Sequence, residues 1–321
     1  MSRMSSPKKR LARTSALAVF LVLTLLASLP SQVLAQSPMA QGPGCTDQGF
    51  PRTVVDGLGN EIRLERPPQR IFSATLATDS ILLALADPGR VVGVTRYAAD
   101  PAYSAVADKV APHMAQIDQL NPETVLAARP DIVLVAFFSS QDAVRQLRSL
   151  GLKVFTFTEF NSLLDVIENI ELMGRITGCD GAASEIIERT YAAYGRLAAK
   201  IASAKRPTVL SWGSWGSTSG MGTTLHDVIQ MAGGINIAAE YGIAGWKEID
   251  VEAIIAMNPD VIVTSSGQAF VRKVLDDPAL RSVAAVASGR VYHIDHTDAL
   301  DHHIFLAVEE LAMKLHPEAF R

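Results

Sequence analysis

The feature that most constrains this chain is a gapless internal repeat, in which ETVLAARPDIVLV, beginning at Glu123, aligns with EAIIAMNPDVIVT, beginning at Glu252. Glu123 falls on Glu252, Pro130 on Pro259 and Asp131 on Asp260. Each copy predicts a helix with a glutamate near its first turn. The helix stops before a proline that cannot continue it, and an apolar run suited to a buried strand follows. One copy alone would be an ordinary helix-to-strand connection. Two copies in corresponding places predict two lobes of one design.

The flanking sequence has the same grammar. From Val54 onward, short β-branched runs alternate with segments of helical period, the pattern of a mostly parallel α/β sheet. Strands are expected at Arg70–Ser73, Val91–Val94, Ile132–Ala136 and Val154–Phe157, then at Val209–Ser211, Val261–Thr264 and Val291–Ile294. Helices are expected over Thr78–Ala86, Pro122–Ala128 and Gln141–Leu150, then near Leu225–Ala232, Val251–Met257 and Phe305–Leu315. Between the halves, residues 180–204 hold no proline, and Ala183, Ile186, Ile187, Tyr194, Leu197 and Ile201 keep helical spacing. At about 1.5 Å per residue such a helix spans roughly 35 Å, enough to bridge two domains. The expected fold class is therefore α/β, with two Rossmann-like lobes joined by a single long α-helix and a ligand cleft between the lobes. The lobes are residues 53–179 and 205–321, with 180–204 as the linker. A stiff helical connector predicts that they open only slightly.

A chain of 321 residues, 48% hydrophobic and 19% charged, has material for more than one core and is not disordered. Its 29 basic residues are outweighed by 33 acidic ones, which excludes a nucleic-acid partner. The first 35 residues differ from the rest. Arg3, Lys8, Lys9, Arg10 and Arg13 precede an apolar run from Ser15 to Leu29, and Val33-Leu34-Ala35 closes it with a small residue. This predicts a secretory signal peptide, cut before Gln36, rather than an uncleaved membrane anchor. Residues 36–52 read as a flexible leader. An exported chain can form disulfides, but sequence leaves open whether Cys45 and Cys179 pair. A lipid anchor at Cys45 is disfavoured by the Gly42-Pro43-Gly44 before it.

Open parallel sheets bind ligands beyond the carboxyl ends of their strands. That rule selects Thr75, Arg96, Tyr97, Phe137, Phe138 and Ser139 in the first half, and Trp212, Trp215, Ser265, Ser266 and His296 in the second. Trp212, Trp215 and Trp246 are all the tryptophans present, and none lies in a periodic core segment. Packing under a loop is their ordinary role; a flat apolar platform for a large planar or macrocyclic ligand is the functional one. Asp295, His296, Asp298, Asp301, His302 and His303 crowd together without the spacing of a known metal motif, and helix capping accounts for the acids. No nucleophile elbow and no phosphate-binding loop is present in the sequence, so a catalytic reading rests on that His/Asp cluster alone.

These features together resemble the periplasmic binding proteins of ABC importers for ferric siderophores, haem and cobalamin. The carriers are VVDGLGNEIRLERPPQRIFS, the paired Glu-to-Pro-Asp segments, the linker helix and TLHDVIQMAGGINIAAEYGIAGWKEIDVEAII, which extend the resemblance over Val54 to Leu315. The resemblance implies a non-enzymatic, monomeric periplasmic protein with no cofactor of its own. It would capture a metal chelate, a ferric siderophore or other iron complex, and deliver it to the permease and ATPase subunits of an importer at the inner membrane. It implies that Glu123 and Glu252 dock on the permease, and that Trp246, Trp212 and Tyr97 line the pocket. Cobalamin and haem are alternative cargoes within the family. Ile117 stands where the cobalamin binder carries a tryptophan, and Tyr97, His113 or His302 would have to serve as the axial ligand of a haem. Arg96 is the one convincing pocket cation, which favours a neutral or weakly charged chelate. Outside that reading stand direct capture of zinc or manganese by His and carboxylate side chains, and a metal-dependent enzyme on related lobes.

Overall fold

The computed structural model describes residues 45–101, 103–295 and 301–321. The expected signal peptide, most of the leader and His296 lie outside the described residues. An antiparallel hairpin comes first, with β1 (Arg52–Val55) against β2 (Glu61–Leu64). Its turn is closed by buried Asp56, whose carboxylate accepts from the Leu58 and Asn60 amides and pairs with Arg148 at 2.9 Å.

A five-stranded parallel sheet follows, built from β3 (Ile71–Ser73), β4 (Val91–Thr95), β5 (Ala115–Ile117), β6 (Ile132–Ala136) and β7 (Val154–Phe157) in the order β5-β4-β3-β6-β7. Its helices are α1 (Leu76–Leu85), α2 (Pro122–Ala127), α3 (Gln141–Ser149) and α4 (Leu163–Thr177). Next comes α5 (Asp180–Ile201), 22 residues long. The second sheet, of β8 (Thr208–Ser211), β10 (Ile235–Asn236), β12 (Val261–Thr264) and β13 (Val291–His293), runs β10-β8-β12-β13 and is also parallel. Strands β9 (Ser217–Ser219) and β11 (Trp246–Glu248) form a separate antiparallel ribbon. Helices α6 (Thr224–Met231), α7 (Val251–Met257), α8 (Gly267–Asp276) and α9 (Ile304–Leu315) surround them.

Each sheet is packed on both faces, which is why its strands are continuous apolar runs. Phe72, Val133 and Val135 lie under α3 on one face of the first sheet, and Leu210 and Ile262 lie under α8 on one face of the second. The opposite faces share a core. Ile71, Leu134 and Phe155 of the first sheet belong to the same buried cluster as Val209 and Val261 of the second, joined through Ile170, Ile186, Val228 and Leu311 on α4, α5, α6 and α9. Polar ties reinforce that junction: the Asp227 carboxylate on α6 accepts from the Leu163 amide opening α4, at 3.0 Å, and the Thr224 hydroxyl donates to the Phe160 carbonyl. Burial holds the Asp227 carboxyl above the usual carboxylate range. The disulfide Cys45–Cys179 encloses the whole first half of the described chain, tying its start to the residue before α5.

The mixed α/β class expected from the sequence is the one observed, and every expected strand is present within a residue of its bounds. The hairpin, β5, the β9–β11 ribbon, β10, α4 and α8 are additions. Helix α4 is fixed by a capping box in which Ser162 and Asp165 satisfy each other's backbone amides.

Candidate functional site

In an open parallel sheet the ligand crevice forms where the strand order reverses. In the first sheet the chain moves from β3 to β4 and β5 on one side, then returns to β6 and β7 on the other, so the reversal lies between β3 and β6. In the second it lies between β8 and β12. The loops after those four strands are therefore the candidate cargo face.

After β6, Phe137 and Phe138 meet edge to face at 5.2 Å between centroids, with Phe160 behind them. Phe138 is 56% exposed, a large apolar surface to leave in water unless something covers it. Ser139 holds the turn, its hydroxyl accepting from the Ala136 amide. Thr75, after β3, is buried: it caps α1 and its hydroxyl contacts that of Thr78 at 2.8 Å, so its role is internal. Below it Asp79 is fully buried. One oxygen accepts from the Thr95 amide and hydroxyl, the other has no partner among the described residues, and burial raises the carboxyl to about 7. Thr95 begins the turn that carries Arg96 and Tyr97. Arg96 lies over the Tyr97 ring and is ion-paired with Asp118, and Tyr97 meets Tyr103 edge on at 5.6 Å. The one convincing pocket cation of the sequence is thus an exposed side chain already paired with an exposed carboxylate.

In the second half Trp212 is half-buried against Phe270, its indole nitrogen without a partner among the described residues. Packing, the ordinary role for a loop tryptophan, describes it. Trp215 is the reverse, 89% exposed on a turn that hydrogen bonds hold firmly. Gly213 N–H donates to Ser217, Gly216 N–H to Gly213, Ser214 N–H to the Ser266 hydroxyl and Ile249 N–H to Gly216. Gly216 supplies the left-handed φ of +75° that the turn requires. Ser266, after β12, therefore braces the loop after β8 across the reversal point, while Ser265 beside it is exposed. Trp246 opens β11 opposite Ser219 and is 65% exposed.

Asp301, His302 and His303 bring their donor atoms within 4.8 Å of one another. The Asp301 carboxylate is already engaged by the His303 amide at 2.7 Å and ring nitrogen at 2.8 Å. His302 stacks on His303 at 4.0 Å, with its Nδ1 buried and unpartnered among the described residues. Burial, then the neighbouring His303, Lys109 and Arg189, lower its pKa to about 4 against the pull of Asp301. The ring is a neutral imidazole at physiological pH. Lys109 and Arg189 add positive charge to the surroundings of His302, and the Asp301 carboxylate is already engaged by His303, both of which work against a bare zinc or manganese ion there. His113 is turned back to the Val91 carbonyl at 3.2 Å, and Ile117 is buried in the core.

The repeat has a face of its own. Helices α2 and α7 are capped by Asn121 and Asp250, which occupy equivalent positions, and Glu123 and Glu252 stand exposed in their first turns. Both helices end in a left-handed residue, Arg129 and Asn258, before the proline. Asp131 then accepts from the Gln69 and Arg70 amides, and Asp260 from the Thr208 amide and hydroxyl, so each copy clamps the start of the neighbouring strand. The identical residues of the repeat thus have identical structural duties.

Comparison with known proteins fits this architecture. The profile of the periplasmic binding protein family covers residues 71–297. The chain belongs to the periplasmic binding protein family. Among members of known sequence, the cobalamin-binding protein of Halobacterium salinarum is 30% identical over 250 residues, 77% of this chain and 67% of the relative. An ABC transporter substrate-binding lipoprotein of Bacillus subtilis, itself uncharacterised, is 27% identical over 284 residues, 85% of this chain and 88% of its own. Among solved structures, Helicobacter pylori CeuE, with nickel and histidine, superposes with a TM-score of 0.70 at 22% identity, covering 84% of this chain and 89% of that one. In this periplasmic binding protein Cys45 is held in a disulfide with Cys179.

Proposed function

We propose that this protein is an extracytoplasmic solute-binding protein that captures a broad, neutral or weakly charged metal chelate and hands it to an ABC permease, without making or breaking a bond. The observation that carries this reading is the aromatic character of both reversal points: exposed Phe137 and Phe138 after β6, exposed Trp215 after β8, and Trp246 on the adjoining ribbon. Burying such rings against a flat macrocycle is favourable through area and through ring stacking. Pairing of Arg96 with Asp118 disfavours polyanionic ferric catecholates, which need several free cations. Cobalamins and neutral iron hydroxamates fit, and relatives named for cobalamin binding support the first. Arg96, Tyr97, Phe138, Trp246 and Ser265 keep their assignment to the pocket. Thr75, Ser139 and Trp212 act beneath it.

Haem is a second reading: His302 is a neutral imidazole of the kind that can serve as an axial ligand, although its unpartnered Nδ1 is buried and would have to be uncovered first. Export to the periplasm follows from the basic and apolar start of the chain, and Glu123 and Glu252 are the permease contacts. The absorption spectrum and mass of copurifying cargo, followed by titration with cyanocobalamin, haem, a ferric hydroxamate and a ferric catecholate, test the reading. Saturable binding of one of the first three is expected. Binding of none, or saturation by free zinc that a chelator reverses, overturns it.

A further inference from the structure

The two docking glutamates are not the only exposed residues that the repeat places alike. Three positions after Glu123 stands Leu126, and three after Glu252 stands Ile255, aligned with each other in the repeat. Residues three apart share a helix face, so each aliphatic side chain lies one turn along from its glutamate. Leu126 is 37% exposed and Ile255 40%, a near match between helices that differ in most of their other residues. The intervening Val125 and Ile254 are fully buried, which fixes the rotation of both helices and leaves no freedom to turn the aliphatics inward. Ala127 and Ala256 follow, both exposed and both small.

A single exposed leucine needs no explanation. Two branched aliphatics at equivalent points, each one turn from an exposed glutamate, are better explained by a partner. We infer that each lobe docks through an amphipathic pair, Glu123 with Leu126 and Glu252 with Ile255, and that the partner offers two equivalent depressions, each with an apolar floor and a basic rim. Repetition of the pair within one chain fits a permease built of two like subunits. The glutamates supply steering and orientation, and the aliphatics the short-range, salt-insensitive part of the contact. This rests on the reading that Glu123 and Glu252 face the permease.

The test uses the cargo-loaded protein and its cognate permease–ATPase complex in liposomes, with docking affinity measured across a salt series. Leu126→Gln/Ile255→Gln keeps good helix formers at both sites. It is expected to weaken docking about tenfold or more, the order of 1.4 kcal/mol, with the salt slope, cargo affinity and melting temperature unchanged. Glu123→Gln/Glu252→Gln is expected to weaken docking and flatten the salt slope. Each single aliphatic variant should cost a similar amount. Wild-type docking by the aliphatic pair, beside impaired docking by the glutamate pair, overturns the inference and leaves the two-glutamate reading standing. Wild-type docking by both pairs removes that reading too. If the aliphatic variant docks normally but loses a soluble dimer that the wild type forms, the patch serves a second copy of this chain and the inference fails.

Discussion

The two copies of the repeat agree at one end and part company at the other. From cap to clamp they correspond: Asn121 and Asp250, Glu123 and Glu252, buried Val125 and Ile254, left-handed Arg129 and Asn258, and Asp131 and Asp260. Beyond the strands the correspondence stops. β6 runs into Phe137-Phe138, whereas β12 runs into serines, one of which braces the loop that carries Trp215. In the proposed reading, a two-point contact with a permease would hold the helical ends alike. A chelate has different chemistry on its two faces, so the cargo ends are free to differ. The halves differ in one further respect, the disulfide that encloses only the first.

Breaking that last difference should have the largest effect. Closing a loop of 134 residues restricts the unfolded chain by about 5 kcal/mol in the chain-entropy view. Cys45→Ala/Cys179→Ala should lower the melting temperature, and hydrogen exchange should show the first half losing more protection than the second. Asp79 is next. Its folded pKa of about 7 lies above the ordinary 3.8, so the folded state holds a proton that the unfolded state has released between those values. Stability contributed by this group therefore falls as pH rises from near 4 to near 7, at up to about 1.4 kcal/mol per pH unit, and is flat above. Asp79→Asn should remove that slope and be the more stable form at pH 8, as denaturant titrations at pH 5 and 8 would show.

The clamps sharpen the comparison further. Asp260→Ala leaves the Thr208 amide unsatisfied and should cost about 1–3 kcal/mol, and Asp131→Ala, whose site is more exposed, should cost less. Equal costs in chemical denaturation would mean that the clamps are equivalent after all. On the cargo side, Trp215→Ala should weaken chelate binding by about 1–2 kcal/mol and Trp212→Phe by far less, because Trp215 is the more exposed of the two and Trp212 packs on Phe270. The smallest effect belongs to Arg129, held at φ 45° where Asn258 sits in the other copy. Arg129→Asn should stabilise by on the order of 0.5 kcal/mol.

Much of this was legible in the residues alone, for identifiable reasons. The strands Ile132–Ala136 and Val261–Thr264 are buried on both faces, so their apolar runs are unbroken, and prolines mark where their helices end. The correspondence of the two repeat copies was legible because charge, cap and proline are local features. The β9–β11 ribbon escaped notice because Ser217–Ser219 and Trp246–Glu248 carry no apolar alternation; their pairing is set by the turn at Gly216 and by contacts distant in sequence. Which loop tryptophan faces outward was not legible either. Trp212 and Trp215 are both followed by glycine or set between glycine and serine, and only the partner ring of Phe270 and the brace from Ser266 separate them. Thr75 read as a strand-end contact because its cap role depends on Thr78 packing beneath it. The shared core between the sheets was also hidden, since no local pattern shows that α4, α5, α6 and α9 bury their faces against both halves.

The central claim is that aromatic loops at two reversal points hold one neutral chelate. Calorimetric titration of cyanocobalamin and of a neutral ferric hydroxamate into the mature protein, with Trp215→Ala/Trp246→Ala alongside, tests it most directly. One site per chain is expected for at least one of the two, weakened tenfold or more in the double variant. Tight binding that survives loss of both tryptophans, or binding of neither chelate, would contradict it.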